Sequence, residues 1–294
     1  MQFYLLSLLI GILLSSMSVI NTEVSLITTN EISILLNQSI ALIILTLILS
    51  TNRNNKVINP PKKKAKLRYW FGGCFGLFII SSINYAIPLI GVILSVSCVI
   101  FGQGAMALIL DCIGFMGIEK KKISLTKLLG LAISLSGILV MIFFSKGKFE
   151  ALPIIISIIA GAASMFQMAY NSYFASLKGP FFSATANMVT GLLSVVIFML
   201  LFRPISDFSL ITTKMPLLFF FGSGAIGVIT VTCSNIVVAK IPAVYSAILI
   251  SSGQIIASMV LDKVLYNIFT PVLLIGSILM LLGIATNILI DKQN

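Results

Sequence analysis

The chain has 294 residues, of which 59% are hydrophobic and 9% charged, with a mean hydropathy of +1.14 and a formal net charge of +11. A soluble domain carries about 25% charged residues, so this composition excludes a soluble globular protein and points to lipid as the solvent. The sequence contains no His, which removes His-based catalytic triads, His metal ligands and the usual intramembrane protease chemistries together.

In chain order, apolar segments lie near 3–20, 32–50, 69–87, 89–112, 125–145, 151–174, 181–202, 215–238, 242–260 and 270–290. Each has roughly the 17 to 25 residues that one helix needs to cross the hydrocarbon. The first, "MQFYLLSLLIGILLSSMSV", lacks the basic leader and small-residue cleavage site of a secretory signal and is read as a span. Runs such as "IALIILTLIL" do not alternate as barrel strands must. Pro88 and Pro242 fall where the fourth and ninth helices are expected to begin, the helical position that best tolerates Pro. The expected fold class is an all-α membrane protein with ten transmembrane helices.

The second half repeats the first. "FGQGAMALILD" at 101–111 recurs as "SGQIIASMVLD" at 252–262. At a constant offset of 151, Gly73 matches Gly224, Gly76 matches Gly227, Asn84 matches Asn235, Gly102 matches Gly253, Gln103 matches Gln254 and Asp111 matches Asp262. At 150, Gly11, Asn21 and Asn37 match Gly161, Asn171 and Asn187; at 146, Gly130 and Gly137 match Gly276 and Gly283. The expected organisation is a five-helix repeat over 1–145, a linker at 146–152 containing most of "SKGKFEAL", and a second repeat over 153–294.

An odd number of crossings makes the second copy enter the membrane from the opposite side, so the repeats are inverted. Charge tests this independently. The loop "TNRNNKVINPPKKKAKLR" carries seven Lys or Arg and no acid, whereas its counterpart "RPISDFSLITTK" carries only Arg203 and Lys214, with one Asp. "GIEKKKISLTK" holds four Lys against a lone Lys263 in the second half. Cytoplasmic loops retain Lys and Arg, which places both termini in the cytoplasm. The net positive charge reflects this sorting and contact with anionic lipid; a nucleic-acid role for "KKKAKLR" is not needed to explain it.

"WFGGCFGLF", "IPLIG", "GQGAMALILDCIGFMGI" and "LLGLAISLSGILV" in the first half, with "GAASMFQMAYNSYFA" in the second, resemble the signature of the YdcZ-type inner-membrane exporters, a branch of the drug/metabolite transporter superfamily. The resemblance spans nearly the whole chain. It implies a fused tandem form in the plasma membrane of a bacterium, with a central cavity lined by the first four helices of each repeat. The fifth and tenth helices would be peripheral, where a homodimer could form. Two departures break the symmetry: Gln167 has Met17 as its mate, and Gly191 has Ala41.

Polar residues inside the spans are the candidate substrate-binding groups. Gln103, Gln254, Asn84, Asn235, Gln167 and Asn171 put amides in hydrocarbon, where each must bond to another helix or line water. Gln167 and Asn171 are four apart and share a helix face. Tyr85 and Tyr245 stand beside these regions as aromatic walls, or as packing. Asp111 and Asp262, each near a helix C-terminus where the macrodipole opposes negative charge, are candidates for gating or proton coupling. The competing reading makes them caps on the backbone N–H groups at the start of a neighbouring helix. Glu23 and Glu31 are further candidates for proton coupling. Cys74, Cys98, Cys112 and Cys233 have no metal-like spacing. "FGSGAIG" and "GGCFG" read as helix-packing glycines, not as nucleophile or phosphate loops.

These readings converge on a non-enzymatic secondary transporter that moves a small polar metabolite by alternating access. No cofactor and no metal are expected. The alternatives are a non-transporting membrane partner or assembly subunit, and a channel-like facilitator.

Overall fold

The computed structural model describes residues 2–52, 64–117, 120, 125–144, 150–202, 216–237, 243–267 and 270–290. These hold helices α1 (Gln2–Ile27), α2 (Asn30–Thr51), α3 (Cys74–Ile90), α4 (Val92–Ile113), α5 (Leu125–Phe144), α6 (Ala151–Lys178), α7 (Pro180–Phe202), α8 (Leu217–Val237), α9 (Ala243–Leu265) and α10 (Pro271–Ile290). A 3₁₀ segment, Leu67–Gly73, leads into α3. There is no strand among the described residues. The chain is an all-α membrane protein: seven of the described helices are long and apolar enough to cross a membrane, and apolar runs at Leu128–Phe144 and Pro271–Gly283 are shorter. Large apolar side chains also cover the outside, with Phe143 75%, Leu200 74% and Leu217 75% exposed. Lipid, not water, suits such a surface.

Local sequence sets the helix ends. The Thr29 side chain caps α2 by accepting from the Ile32 N–H at 3.3 Å. At the equivalent place in the second repeat, Gly179 takes a positive φ of 94° and Pro180 opens α7. Pro88 corrects the expected boundary: it lies inside α3, not at the start of α4. Pro has no N–H to give the Asn84 carbonyl, and a helix tolerates that loss best near an end. The break falls three residues later at Gly91, whose φ of 79° favours glycine. Pro242 lies outside the described residues, as do 53–63, 118–119, 121–124 and 203–215 of the loops compared for charge and the linker residues 146–149.

The chain forms two compact units that cut across the repeats. One comprises Met1–Ser16, Tyr85–Phe166 and Val237–Asn294; the other comprises Met17–Asn84 and Gln167–Ile236. Each unit takes residues from both halves of the sequence, so the repeats are units of sequence and not compact bodies.

In the first unit, the repeated glycines are crossing points. A Cβ on Gly102 would overlap the Ile158 carbonyl of α6, and one on Gly161 would overlap the Val99 carbonyl of α4. The mates repeat this: Gly11 faces the Ile250 carbonyl of α9, and Gly253 faces the Leu8 carbonyl of α1. The fourth helix of each repeat therefore packs on the first helix of the other, at a separation that admits no side chain. Helices α5 and α10 pair along their glycine faces, with Gly137 against Gly276 and Gly283 against Gly130 and Ser134.

In the second unit, α2 packs on α7, and the 3₁₀ segment packs on α7. Ile20, Val24, Ile32, Ile34, Leu36, Ile40, Val195 and Met199 form its apolar core. Gly73 rests against the Asn187 carbonyl and Thr190, while its mate Gly224 rests against the Asn37 carbonyl and Ile40. The repeat mates of the sequence thus occupy equivalent places in the packing.

Candidate functional site

The second unit holds a connected set of amides on α6 and α7. The Asn187 Oδ1 accepts from Asn171 Nδ2 at 2.8 Å and from Gln167 Nε2 at 3.0 Å, and Gln167 Nε2 also donates to the Gly72 carbonyl at 3.0 Å. The Asn171 carbonyl accepts from the Ser183 hydroxyl at 2.8 Å, and Gly73 N–H is held by Thr190 Oγ1 at 3.1 Å. Asn171 and Asn187 are 8% and 6% exposed. An amide buried in an apolar span needs such partners, because hydrocarbon supplies none. The first repeat carries the equivalent pair: Asn37 Nδ2 donates to Asn21 Oδ1 at 3.3 Å, and Ser33 donates to the Asn21 carbonyl at 2.6 Å. Asn84 closes a third group by donating to Asn30 Oδ1 at 2.9 Å and accepting from Thr22 at 3.3 Å, while Asn30 donates to Ser81 at 2.7 Å.

The first unit places Gln103 half-buried on α4, where Nε2 donates to Ser164 Oγ at 3.3 Å. Gln254 on α9 is 6% exposed and has a different environment. The repeat mate of Ser164 is Leu14, so the hydroxyl that serves Gln103 has no counterpart there. The Gln254 Oε1 is buried without a hydrogen-bond partner, although its carbonyl accepts from Ser15 at 2.9 Å and Ser258 at 2.6 Å.

Asp262 is 1% exposed and grips the N-terminus of α4. Its Oδ1 accepts from Val92 N–H and its Oδ2 from Ile93 N–H, each at 2.7 Å. These are two of the four N–H groups that the first turn of a helix leaves without intrahelical partners, at the positive end of its dipole. Gly91 supplies the positive φ of 79° that opens this turn, and a Cβ there would touch Oδ1 at an ordinary 3.4 Å. The cap anticipated as one reading of the sequence is therefore present at Asp262. Asp111 is half-buried in the last turn of α4, ahead of Gly114, whose left-handed conformation ends that helix.

The comparisons follow from this architecture. The family described as "Putative inner membrane exporter, YdcZ" matches residues 2–140 and again 152–286. The chain belongs to the YdcZ family. The double match makes it a tandem two-repeat member, and membership makes it a multi-pass membrane protein of an exporter family. Among solved structures, one crystal structure is similar at 14% identity over 99% of this chain and 97% of that chain, with a TM-score of 0.65. That likeness bears on fold alone. No curated protein matches.

Within this YdcZ-family chain, the candidate site residues divide between the units. Gln103, Gln254, Tyr85, Asp111 and Asp262 belong to the first, and Asn84, Gln167, Asn171 and Asn235 to the second. Tyr85 is 43% exposed. Tyr245 lies on α9 and Asn235 on α8, but their side chains are outside the described residues. Sequence reading passed over Asn187, although its match to Asn37 at offset 150 was visible and its spacing of 16 from Asn171 is shared by Asn37 and Asn21. It also passed over Gln38, which has no polar mate: position 188 is Met. The described residues hold no cluster of three or more metal-ligating side chains.

Proposed function

We propose that the protein is a secondary transporter that carries a small polar metabolite out of the cytoplasm by alternating access. The observation that supports this best is the linked amide set of Gln167, Asn171 and Asn187, built from two helices of the second repeat and the 3₁₀ segment of the first. Packing alone would be served by apolar side chains. Amides inside a span join helices or face a solute, and this set gathers both halves of the sequence at one place. Export, as opposed to uptake, follows from the family. The amides suit a neutral or zwitterionic solute, since they offer donors and acceptors without net charge.

In this reading Asp262 acts as an anchor that closes one face through α4. The repeat assigns Asp111 the same task at the start of α9, whose first residue Ala243 is the mate of Val92. Both termini lie in the cytoplasm of a bacterial cell, as the Lys and Arg counts in the loops support. A homodimer would use the outer faces of α5 and α10, because their glycine faces are occupied by each other.

The test is transport by proteoliposomes loaded with a total small-metabolite extract of the host cell, with the emerging solutes identified by mass spectrometry. Counter-flow that saturates supports the carrier. Unsaturable leak of many solutes favours the channel-like facilitator, and no efflux with a stably bound membrane protein favours the partner role.

A further inference from the structure

The two pseudo-equivalent niches between α2 and α7 in the second unit differ in chemistry. In one, Gln38 of α2 lies against Gly191 of α7 and Gly76 of α3. A Cβ on Gly191 would come within 2.8 Å of Gln38 Nε2 and 3.1 Å of Oε1, and one on Gly76 would stand 3.3 Å from Gln38 Nε2 and 3.9 Å from Gln167 Nε2. The absence of side chains at these two glycines is what admits the Gln38 amide. In the other niche the mates are Met188 for Gln38, Ala41 for Gly191, Gly227 for Gly76 and Met17 for Gln167. Met188 and Ala41 pack together in an apolar cluster, and Met17 Sδ stands 3.6 Å from a Cβ built on Gly227. Three correlated differences take the Gln38 and Gln167 amides out of the mate niche, where the polar group nearest a Cβ built on Gly227 is the Asn37 amide at 3.9 Å, already bonded to Asn21.

Gln38 is the incomplete member. It is 4% exposed, and its Oε1 is buried with no hydrogen-bond partner. The neighbouring Gln167 has its Nε2 taken by Gly72 and Asn187. An orphaned acceptor in an apolar span costs free energy, and a protein that needed only packing here has Met in the equivalent place. Among the described residues no donor reaches this acceptor.

We infer that the Gln38 niche, bounded by Gly76, Gly191 and Gln167, is a subsite for a solute without net charge that presents an N–H or O–H donor. Its mate around Gly227 does not bind that group. The niche contains amides and glycines but no acidic side chain among the residues that bound it, so it selects by hydrogen bonding and not by charge. The inference rests on the transporter reading and adds the location of the solute's polar contact and the donor it must present.

The test uses proteoliposomes loaded with the same total metabolite extract and compares the parent with Gln38→Leu, Gln38→Met and Met188→Leu. Parent efflux should consist of net-neutral solutes bearing N–H or O–H groups. Gln38→Leu and Gln38→Met should each lower that efflux about tenfold, the order expected for losing one buried hydrogen bond, while Met188→Leu leaves it within about twofold, as volume-conserving apolar exchanges do. Two Gln38 replacements guard against a fault particular to one, and gel filtration in detergent checks that each variant is folded. Absence of efflux from the parent overturns the transporter reading itself. Parent efflux that persists unchanged in folded Gln38 variants overturns the subsite and leaves the transporter reading intact. Equal losses at Gln38 and Met188, or efflux made up of ions, also overturn it.

Discussion

Asp262→Ala removes both acceptors from the start of α4. Each of the two bonds joins a carboxylate oxygen to a backbone N–H at 2.7 Å, and a hydrogen bond to a charged group contributes about 1.5–3 kcal/mol. Two would bound the loss at about 6 kcal/mol. The bonds share one carboxylate and are not additive, and removing a helix cap costs about 0.5–2 kcal/mol in soluble proteins. Burial of the site, with Asp262 1% exposed, raises the cost above that range because no water replaces the lost acceptor. The expected destabilisation is about 2–4 kcal/mol. Asp262→Asn retains one acceptor oxygen and should lose roughly half as much. Val264→Ala, at a residue 71% exposed, is the control. Thermal unfolding of the purified protein in detergent should place the variants in the order Val264→Ala, Asp262→Asn, Asp262→Ala, with the last melting lowest. If Asp262→Ala melts with the parent, the carboxylate is not what holds α4, and the anchor role falls with it.

Gly102→Ala and Gly253→Ala should each destabilise by about 1–3 kcal/mol, because a Cβ would overlap the facing carbonyl and force the helices apart; Gly104→Ala, whose Cβ would stand 3.8 Å from Leu131, should leave the melting temperature unchanged. Asn187→Leu strips the shared acceptor from Gln167 and Asn171 and should lower stability by about 1–3 kcal/mol, whereas Gln254→Leu removes an acceptor that is already unpartnered and should melt no lower than the parent; the reverse order would contradict the hydrogen-bond assignments. A Cys at Ser206 should react with an impermeant thiol reagent from outside and a Cys at Asn55 only after permeabilisation, and equal outside labelling of both would remove the inverted topology. Asp111→Asn should open the cytoplasmic face and Asp262→Asn the outer face, read as opposite changes in the accessibility of Cys reporters; shifts in the same direction would leave both residues as static caps.

The sequence alone determined the solvent and the helices. Apolar length fixes spans because backbone groups in lipid must be satisfied within each helix, while the odd repeat with unequal Lys and Arg is the ground for the inverted orientation that the labelling experiment tests. The repeat also singled out Gly102, Gly253 and Asp262 as a recurring set. Their partners were not legible, since the facing carbonyls of Ile158 and Leu8 and the N–H groups of Val92 and Ile93 are backbone atoms that any residue type supplies. The start of α4 was placed three residues early for a related reason: Pro88 permits a helix end, but the positive-φ turn at Gly91 makes it. Gln38 was passed over because it has no polar mate and, unlike Gln167, lies outside the stretches that carry the family resemblance. Only the tertiary structure decided which amides are satisfied, since whether a side chain finds its hydrogen bond depends on which helix faces it, and the packing of one repeat against the other sets that.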